Sequence, residues 1–129
     1  MIALDTNILV RLITGDDPVQ AREAEALLKS GEDAFFIPDI VLAELTWVLM
    51  RRYAFSRRDV GEVLSALLDR RDVVFEEEER VRAAGGGFVE GIDLADGLIM
   101  EISRAAGCAR LASFDEALKI KNPDFILRP

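Results

Sequence analysis

Short apolar runs alternate with helix-like segments along the chain, and this alternation predicts the fold class. Between the runs, apolar positions recur every three or four residues, which is the period of an α-helix. Strands that alternate with helices favour a mostly parallel sheet covered by helices on both faces. The predicted strands cover residues 2–4, 34–37, 73–75, 109–111 and 125–127, and the predicted helices cover 6–14, 18–30, 38–53, 57–70, 94–106 and 116–119, with one more beginning at 77. A chain of 129 residues fits one compact domain, so we expect a single α/β domain over 1–129.

Two segments depart from an ordinary amphipathic helix. The helix that begins near Glu77 runs into Gly85-Gly86-Gly87, and each glycine inside a helix costs roughly 1 kcal/mol relative to alanine. We therefore expect this helix to be interrupted. The segment 38–53 has almost no polar face, and a helix that is apolar all round is buried, either inside the domain or partly against a second subunit. A homodimer is accordingly one expectation.

Two residue types on which many enzymes depend are scarce in this chain. Histidine is absent, which excludes Ser-His-Asp triads, histidine acid–base catalysis and histidine metal ligands. Cys108 is the single cysteine, so the chain forms no internal disulfide and a structural zinc site lacks ligands. A reducing compartment suits one free cysteine, and we find neither a secretory signal nor the roughly 18 consecutive apolar residues of a membrane helix. We expect a cytoplasmic protein that does not associate with membranes.

The net charge of −8 sets a condition on any nucleic-acid partner. A protein that binds nucleic acid mainly by neutralising phosphates is expected to be basic. If the substrate is RNA, arginines near the site or bound cations must offset the repulsion. The alternative is that the acidity attracts a basic protein partner.

Asp5 and Glu44 lie where a solvated surface acid is not expected. Asp5 follows the first strand directly, and parallel sheets place their sites at the carboxyl ends of strands, although an aspartate there can equally cap a helix. The residues three and four positions from Glu44 are all apolar: Ile40, Val41, Trp47 and Val48. We expect the Glu44 carboxylate to lie in an apolar stripe, where it needs a cation, an arginine partner or an exit to water.

Three further acids flank predicted elements. Asp93 and Asp96 are three positions apart at the start of the helix over 94–106; Asp93 is a good N-cap, and Asp96 leads into an apolar segment. Asp115 follows the strand over 109–111, where it is either a ligand or the cap of a short helix. Nearby Ser113 could hydrogen-bond a carboxylate or a metal-bound water.

Clustering of these acids would create a site for a hard divalent cation. Asp5, Glu44, Asp96 and Asp115, with Asp93 as a further candidate, offer only oxygen ligands, and such a set selects Mg²⁺ or Mn²⁺. These cations activate water and stabilise the charge of a pentavalent phosphate, so no histidine is needed. Without a cation, clustered carboxylates repel each other and at least one pKa rises.

The acidic segments, taken in order and spacing, resemble the PIN domain. They are Asp5-Thr6-Asn7, Val41-Leu42-Ala43-Glu44-Leu45, Asp93-Leu94-Ala95-Asp96-Gly97-Leu98-Ile99 and Ser113-Phe114-Asp115. Each segment alone is a weak signal, but the combination is specific and covers essentially the whole chain. Among PIN domains the chain is similar to the VapC-like toxins of bacterial toxin–antitoxin pairs.

This resemblance implies a five-stranded parallel sheet between two layers of helices and a Mg²⁺-dependent endoribonuclease, in which a metal-bound water attacks the phosphodiester. Asp5, Glu44, Asp96 and Asp115 would form the metal-binding quartet, with Asp93 as an extra acid, and Thr6, Asn7 and Ser113 would support it. Such toxins typically dimerise. A cognate antitoxin holds them inactive by covering the acidic site, often with a basic residue.

Several arginines are candidates for contacts with the substrate. Arg11, Arg51 and Arg52, together with Arg57 and Arg58, are candidates for a basic rim that binds RNA, or are ordinary surface arginines. The glycine run departs from the regular helix usual in the family and affects the expected shape of the substrate groove. Gly97, where alanine is common, is expected to lower the stability of its helix slightly.

Three alternatives compete with this interpretation. A receiver-like signalling domain also has an acidic Mg²⁺ pocket, but it needs an acceptor aspartate after the third strand and a lysine after the fifth. Here a run of acids follows residue 75 and no lysine follows the last strand, and both features oppose this alternative. A PIN-like module could bind RNA or protein without cutting. A nuclease on the same fold could instead act on DNA or on a particular nucleic-acid structure.

Overall fold

The computed structural model describes all 129 residues, and its helices and strands alternate along the chain. The strands are β1 (Ile2–Ala3), β2 (Phe35–Ile37), β3 (Val73–Phe75), β4 (Leu111–Ala112) and β5 (Ile126–Leu127). The helices are α1 (Thr6–Thr14), α2 (Pro18–Leu28), α3 (Asp39–Arg52), α4 (Arg57–Asp69), α5 (Glu78–Val89), α6 (Leu94–Ala105) and α7 (Glu116–Lys121). The α/β class and the predicted order of elements are confirmed, with bounds that differ by at most two residues.

The strands form two parallel sheets, so the expectation of one five-stranded sheet was wrong. β2 lies between β1 and β3 in a three-stranded sheet, and β4 pairs with β5 in a two-stranded sheet. The backbone hydrogen bonds explain the division. Leu4 N–H donates to Phe36 O at the end of β1, and Ser113 N–H donates to Leu127 O at the end of β4, while no backbone hydrogen bond joins β1 to β4. Two-residue strands offer few groups for a further partner.

The main core lies between the three-stranded sheet and the helices that cross it. Phe35 and Ile37 of β2 are fully buried, as are Leu42, Leu45 and Leu49 of α3. At the outer strand β3 the burial is one-sided, because Val73 and Phe75 are buried whereas Val74 is exposed. A second, smaller core joins α6 and α7 to the two-stranded sheet and consists of Met100, Leu118, Phe125 and Ile126.

The glycine run does not interrupt α5, contrary to the prediction, and the helix is continuous from Glu78 to Val89. The reason is tertiary packing. Val81, Ala84 and Phe88 lie on one face of α5 and are all buried in the main core. Helix stability in proteins comes chiefly from such an apolar face, which here offsets the roughly 1 kcal/mol that each glycine costs.

Gly97 has a packing role that its helix propensity does not reveal. A Cβ at this position would lie 3.2 Å from both Cα and Cβ of Ala84, so glycine permits the close approach of α6 to α5. Close backbone approach is one of the main uses of glycine.

The helix α3 is not buried all round, although its sequence predicts that it is. Its inner face is in the core, but Ile40 is 70% exposed and Trp47 is 55% exposed on the outer face. None of the helices has both the length and the apolar character that crossing a bilayer requires.

Candidate metal and phosphodiester site

Asp5, Thr6 and Glu44 form the first part of the candidate site. Asp5 follows β1 and caps α1, because its Oδ1 accepts a hydrogen bond of 2.7 Å from the Thr6 backbone N–H. The Thr6 hydroxyl donates to Glu44 Oε1 across 3.3 Å and so links α1 to α3. Thr6 is itself buried, which holds this donor in place. The end of β1 and the middle of α3 therefore present two carboxylates from adjoining elements.

The Glu44 side chain is exposed, so of the three alternatives for a carboxylate among apolar neighbours the structure has the exit to water. The apolar neighbours that suggested burial divide between two faces of α3. Val41 is buried and Val48 is partly buried, whereas Ile40 and Trp47 are exposed on the same side as Glu44. The Glu44 carboxylate reaches water and needs no buried counter-charge.

Asp93, Asp96 and Asp115 form the second part. Asp96, in the first turn of α6, is half-buried, and its pKa is raised from the usual value because burial disfavours the charged form and the carboxylates of Asp93 and Asp115 repel it. The start of α6 and the start of α7 thus both contribute negative charge to the surroundings of Asp96. Asp93 precedes α6 and is 3.7 Å from the Arg57 guanidinium.

Asp115 and Ser113 are held by the backbone of the turn before α7. Asp115 Oδ1 accepts a hydrogen bond of 2.9 Å from Leu118 N–H and caps the helix. Ser113 Oγ accepts a hydrogen bond of 3.1 Å from Asp115 N–H. The serine therefore contacts the backbone of the turn rather than a carboxylate. Its place fits a residue that orients Asp115.

The five acids do not form one compact ligand set. No group of three or more acidic or cysteine side chains lies close enough to hold a metal ion. Like charges oppose closer approach, and Asp5 and Asp115 each accept a backbone N–H at a helix start instead. In kind, however, the donors suit a hard divalent cation, because all are carboxylate oxygens and the negative potential at Asp96 would favour a positive charge.

The family of the chain follows from comparison with known proteins. The family model of the PIN domain matches residues 2–122, a segment that contains all five acids. The chain belongs to the PIN domain family. PIN domains are generally nucleases that use divalent metals such as Mg²⁺ or Mn²⁺. A search of curated proteins finds no match.

The arginines that are candidates for RNA contacts in this PIN domain differ in whether other side chains already bind them. Arg11 is engaged, because it donates to Gln20 Oε1 over 2.7 Å and lies 3.2 Å from Asp16 Oδ1. Arg58 pairs with Glu62 at 3.5 Å. Arg51 and Arg52, at the carboxyl end of α3, are exposed and make no hydrogen bond or ion pair. A free basic charge near the acids thus comes from the end of α3 rather than from α1.

Asn7 is exposed and its side chain makes no hydrogen bond. It lines a pocket of about 370 Å³ between α1 and α2. Asn7 is therefore close to Asp5 in the sequence, two residues after it, but it makes no hydrogen bond to a carboxylate.

Trp47 is the residue near the site that the sequence pattern did not single out. The sequence pattern indicates it only as an apolar neighbour of Glu44, but the indole lies outside the core and lines a pocket together with Asp93. The available signal was its position three residues after Glu44, because residues three apart share a helix face.

Proposed function

We propose that this PIN domain is a Mg²⁺- or Mn²⁺-dependent endoribonuclease that hydrolyses RNA phosphodiester bonds, and that it is the toxin of a type II toxin–antitoxin pair. The observation that carries the proposal is the half-buried carboxylate of Asp96 in the first turn of α6, whose pKa is raised first by burial and then by the negative charges of Asp93 and Asp115. Clustering of like charges at the start of a helix is costly unless a cation compensates it. Family membership supports metal-dependent phosphodiester chemistry.

Each residue has a role in this proposal. Asp5, Glu44, Asp96 and Asp115 hold the cation, and Asp93 assists. Thr6 fixes the orientation of Glu44 through its hydroxyl, and Ser113 fixes the turn that carries Asp115. When bound, the cation supplies a water of lowered pKa and positive charge that stabilises the pentavalent phosphate. Asn7 completes the polar surroundings of Asp5.

The same proposal includes partners. A net charge of −8 suits an antitoxin whose basic tail covers the acids, because complementary charge steers such an encounter. The chain acts as a homodimer in the cytoplasm, where its exposed Cys108 stays reduced. Arg51 and Arg52 are the basic residues available to RNA.

The test of the nuclease is cleavage of an RNA panel by the purified protein in Mg²⁺, Mn²⁺ or EDTA. We expect metal-dependent cutting, with loss of activity on the order of 10²-fold or more in Asp5→Asn and Asp96→Asn, because removal of even an outer-shell partner costs 10- to 100-fold. The matched control is Asp69→Asn, an exposed aspartate at the end of α4 that makes no hydrogen bond or ion pair.

A second readout separates this proposal from its alternatives. Mn²⁺ at about 100 times its Kd should raise the free energy of unfolding by about 2.7 kcal/mol in the wild type and by less in Asp96→Asn. RNA binding without cutting by a folded, metal-loaded protein would identify a binding module. Stronger competition by DNA than by RNA would identify a DNA-directed nuclease, and an unchanged unfolding temperature with metal would refute the metal site.

A further inference from the structure

A pocket of about 310 Å³ opens beside the acids, between α3, the starts of α4 and α6, and the end of α5. Its apolar walls include Trp47 and Met50 of α3, and its charged groups are Arg51, Arg57 and Asp93. An apolar cleft with a few convergent polar groups has the usual make-up of a ligand site.

Among the side chains that line this pocket, the indole of Trp47 is unusual in its exposure. It is 55% exposed, whereas Leu45 and Leu49 on the inner face of the same helix are fully buried. Tryptophan is a costly residue to leave in water, because burial of aromatic area stabilises a protein strongly. The ring therefore offers a flat apolar surface that the fold itself does not cover.

Two guanidinium groups line the pocket, and Asp93, 3.7 Å from Arg57, offsets the charge of one of them, so the unpaired positive charge is that of Arg51. Arg57 is held in place, because it donates a hydrogen bond of 2.8 Å to Phe88 O and its guanidinium lies 4.5 Å from the centre of the Phe88 ring. Arg51 is exposed and makes no hydrogen bond or ion pair. In a chain with a net charge of −8, a free arginine beside an exposed indole favours a ligand that is both flat and anionic.

The pocket adjoins the candidate site directly. Asp93 belongs to both, and Ala95, next to Asp96, also lines the pocket. Trp47 is three residues after Glu44, and helix residues at that spacing have Cβ atoms about 5–6 Å apart. A group bound against Trp47 is thus close to a phosphate held at the acids.

We propose that this pocket binds one unpaired base of a single-stranded RNA, next to the phosphodiester that is cut. The base stacks on Trp47, and Arg51 contacts the adjoining phosphate. Single-stranded RNA is commonly bound by stacking of splayed bases on aromatic side chains with arginine contacts to the backbone. The inference rests on the proposed ribonuclease function and adds to it Trp47 and Arg51 as the residues that bind the nucleotide beside the cut.

Trp47 is the only tryptophan in the chain, so intrinsic fluorescence reports on this pocket alone. The probe is a single-stranded RNA octamer of mixed sequence added to the Asp5→Asn protein, which retains the pocket. We expect saturable quenching of Trp47 emission by the octamer and none by the same sequence annealed into a duplex, because duplex bases are already stacked.

Variants test the two contacts separately, with binding followed by the anisotropy of end-labelled octamer. Trp47→Ala should bind on the order of ten- to a hundred-fold more weakly, and Trp47→Phe should retain most of the affinity because it keeps an aromatic face. Arg51→Ala should weaken binding and lower the salt slope of log K by about one. Its matched control is Arg22→Ala, which removes an exposed arginine of α2 that lies outside the pocket and makes no hydrogen bond or ion pair, and it should change little.

The outcomes distinguish the pocket from the nuclease. Quenching by the octamer without cleavage by the wild type would support the base pocket and refute the ribonuclease. Cleavage with no quenching, and an unchanged KM in Trp47→Ala, would overturn the pocket and leave the ribonuclease intact. Emission that depends on protein concentration, with a dimer lost in Trp47→Ala and no response to RNA, would overturn the pocket by assigning the ring to a contact between two copies.

Discussion

At the scale of single residues, Asp39 shows how tertiary contacts decide whether a charged side chain is solvated or buried in an ion pair. It is the only buried ionisable residue, at 7% exposure, and Arg80 Nη2 and Nε lie 2.6 Å and 2.8 Å from its Oδ2. Asp39 Oδ1 has no hydrogen-bond partner. The backbone N–H of Asp39 donates to Glu76 Oε1 over 2.8 Å, so the first acid of the run after β3 caps α3 instead of being only solvated.

The substitution Arg80→Ala should strongly destabilise the protein. It leaves a buried carboxylate without its counter-charge, which typically costs about 3–5 kcal/mol of unfolding free energy. The control is Arg58→Ala, whose pair with Glu62 is exposed and should contribute at most about 1 kcal/mol. Urea denaturation measures both. A loss at Arg80 no larger than the loss at Arg58 would contradict a buried pair.

At the scale of elements, α5 and α6 show that glycine content alone does not predict whether a helix is continuous. Gly85 and Gly86 have no heavy atom within 4 Å of where a Cβ would lie, whereas Gly97 has the backbone of Ala84 at 3.2 Å. The glycines of α5 and the glycine of α6 therefore have different structural roles. The first two are tolerated because packing elsewhere on α5 supports the helix, and the third permits a helix–helix contact.

Alanine substitutions at these glycines should have opposite effects. Gly85→Ala and Gly86→Ala should each stabilise the protein by up to about 1 kcal/mol, because alanine reduces the entropy of the unfolded chain and extends into open space. Gly97→Ala should destabilise it, because its Cβ forces α5 and α6 apart. Thermal unfolding of the three variants is the measurement, and a gain in stability at Gly97 would show that the two helices separate without cost.

At the scale of the whole molecule, exposed apolar side chains on α6 and α3 are candidates for the interface of the proposed homodimer. Ile99 and Ile102 lie one turn apart on α6 and are 48% and 45% exposed, and Ile40 on α3 is also exposed. Scattered surface apolar residues are ordinary, but a pair on one helix face favours a contact surface.

Sedimentation velocity over a range of concentrations should reveal a dimer that weakens in Ile99→Lys/Ile102→Lys, because two buried charges without partners oppose association. The control Ile120→Lys changes an exposed isoleucine on α7 outside this face and should leave the dimer intact. A wild-type protein that stays monomeric at every concentration would exclude the dimer.

Much of the fold could be predicted from the sequence because its signals are local. Asp5 and Asp115 each mark a helix start within a few residues of the groups that they cap, and both act as caps in the structure. The candidate acids were predicted in the same way, from position relative to strands and helices. Their mutual distances could not be, because they depend on how the elements pack.

The sequence by itself determined the α/β class, the order and approximate positions of the elements and the PIN family, since periodicity, caps and motif order are properties of neighbouring residues. Only the tertiary structure decided that Glu44 and Trp47 face outward, that α5 is continuous and that Asp39 pairs with Arg80. Each of these depends on contacts between segments far apart in the chain, such as the 41 residues that separate Asp39 from Arg80. Such contacts depend on how all the helices pack, which no local pattern encodes.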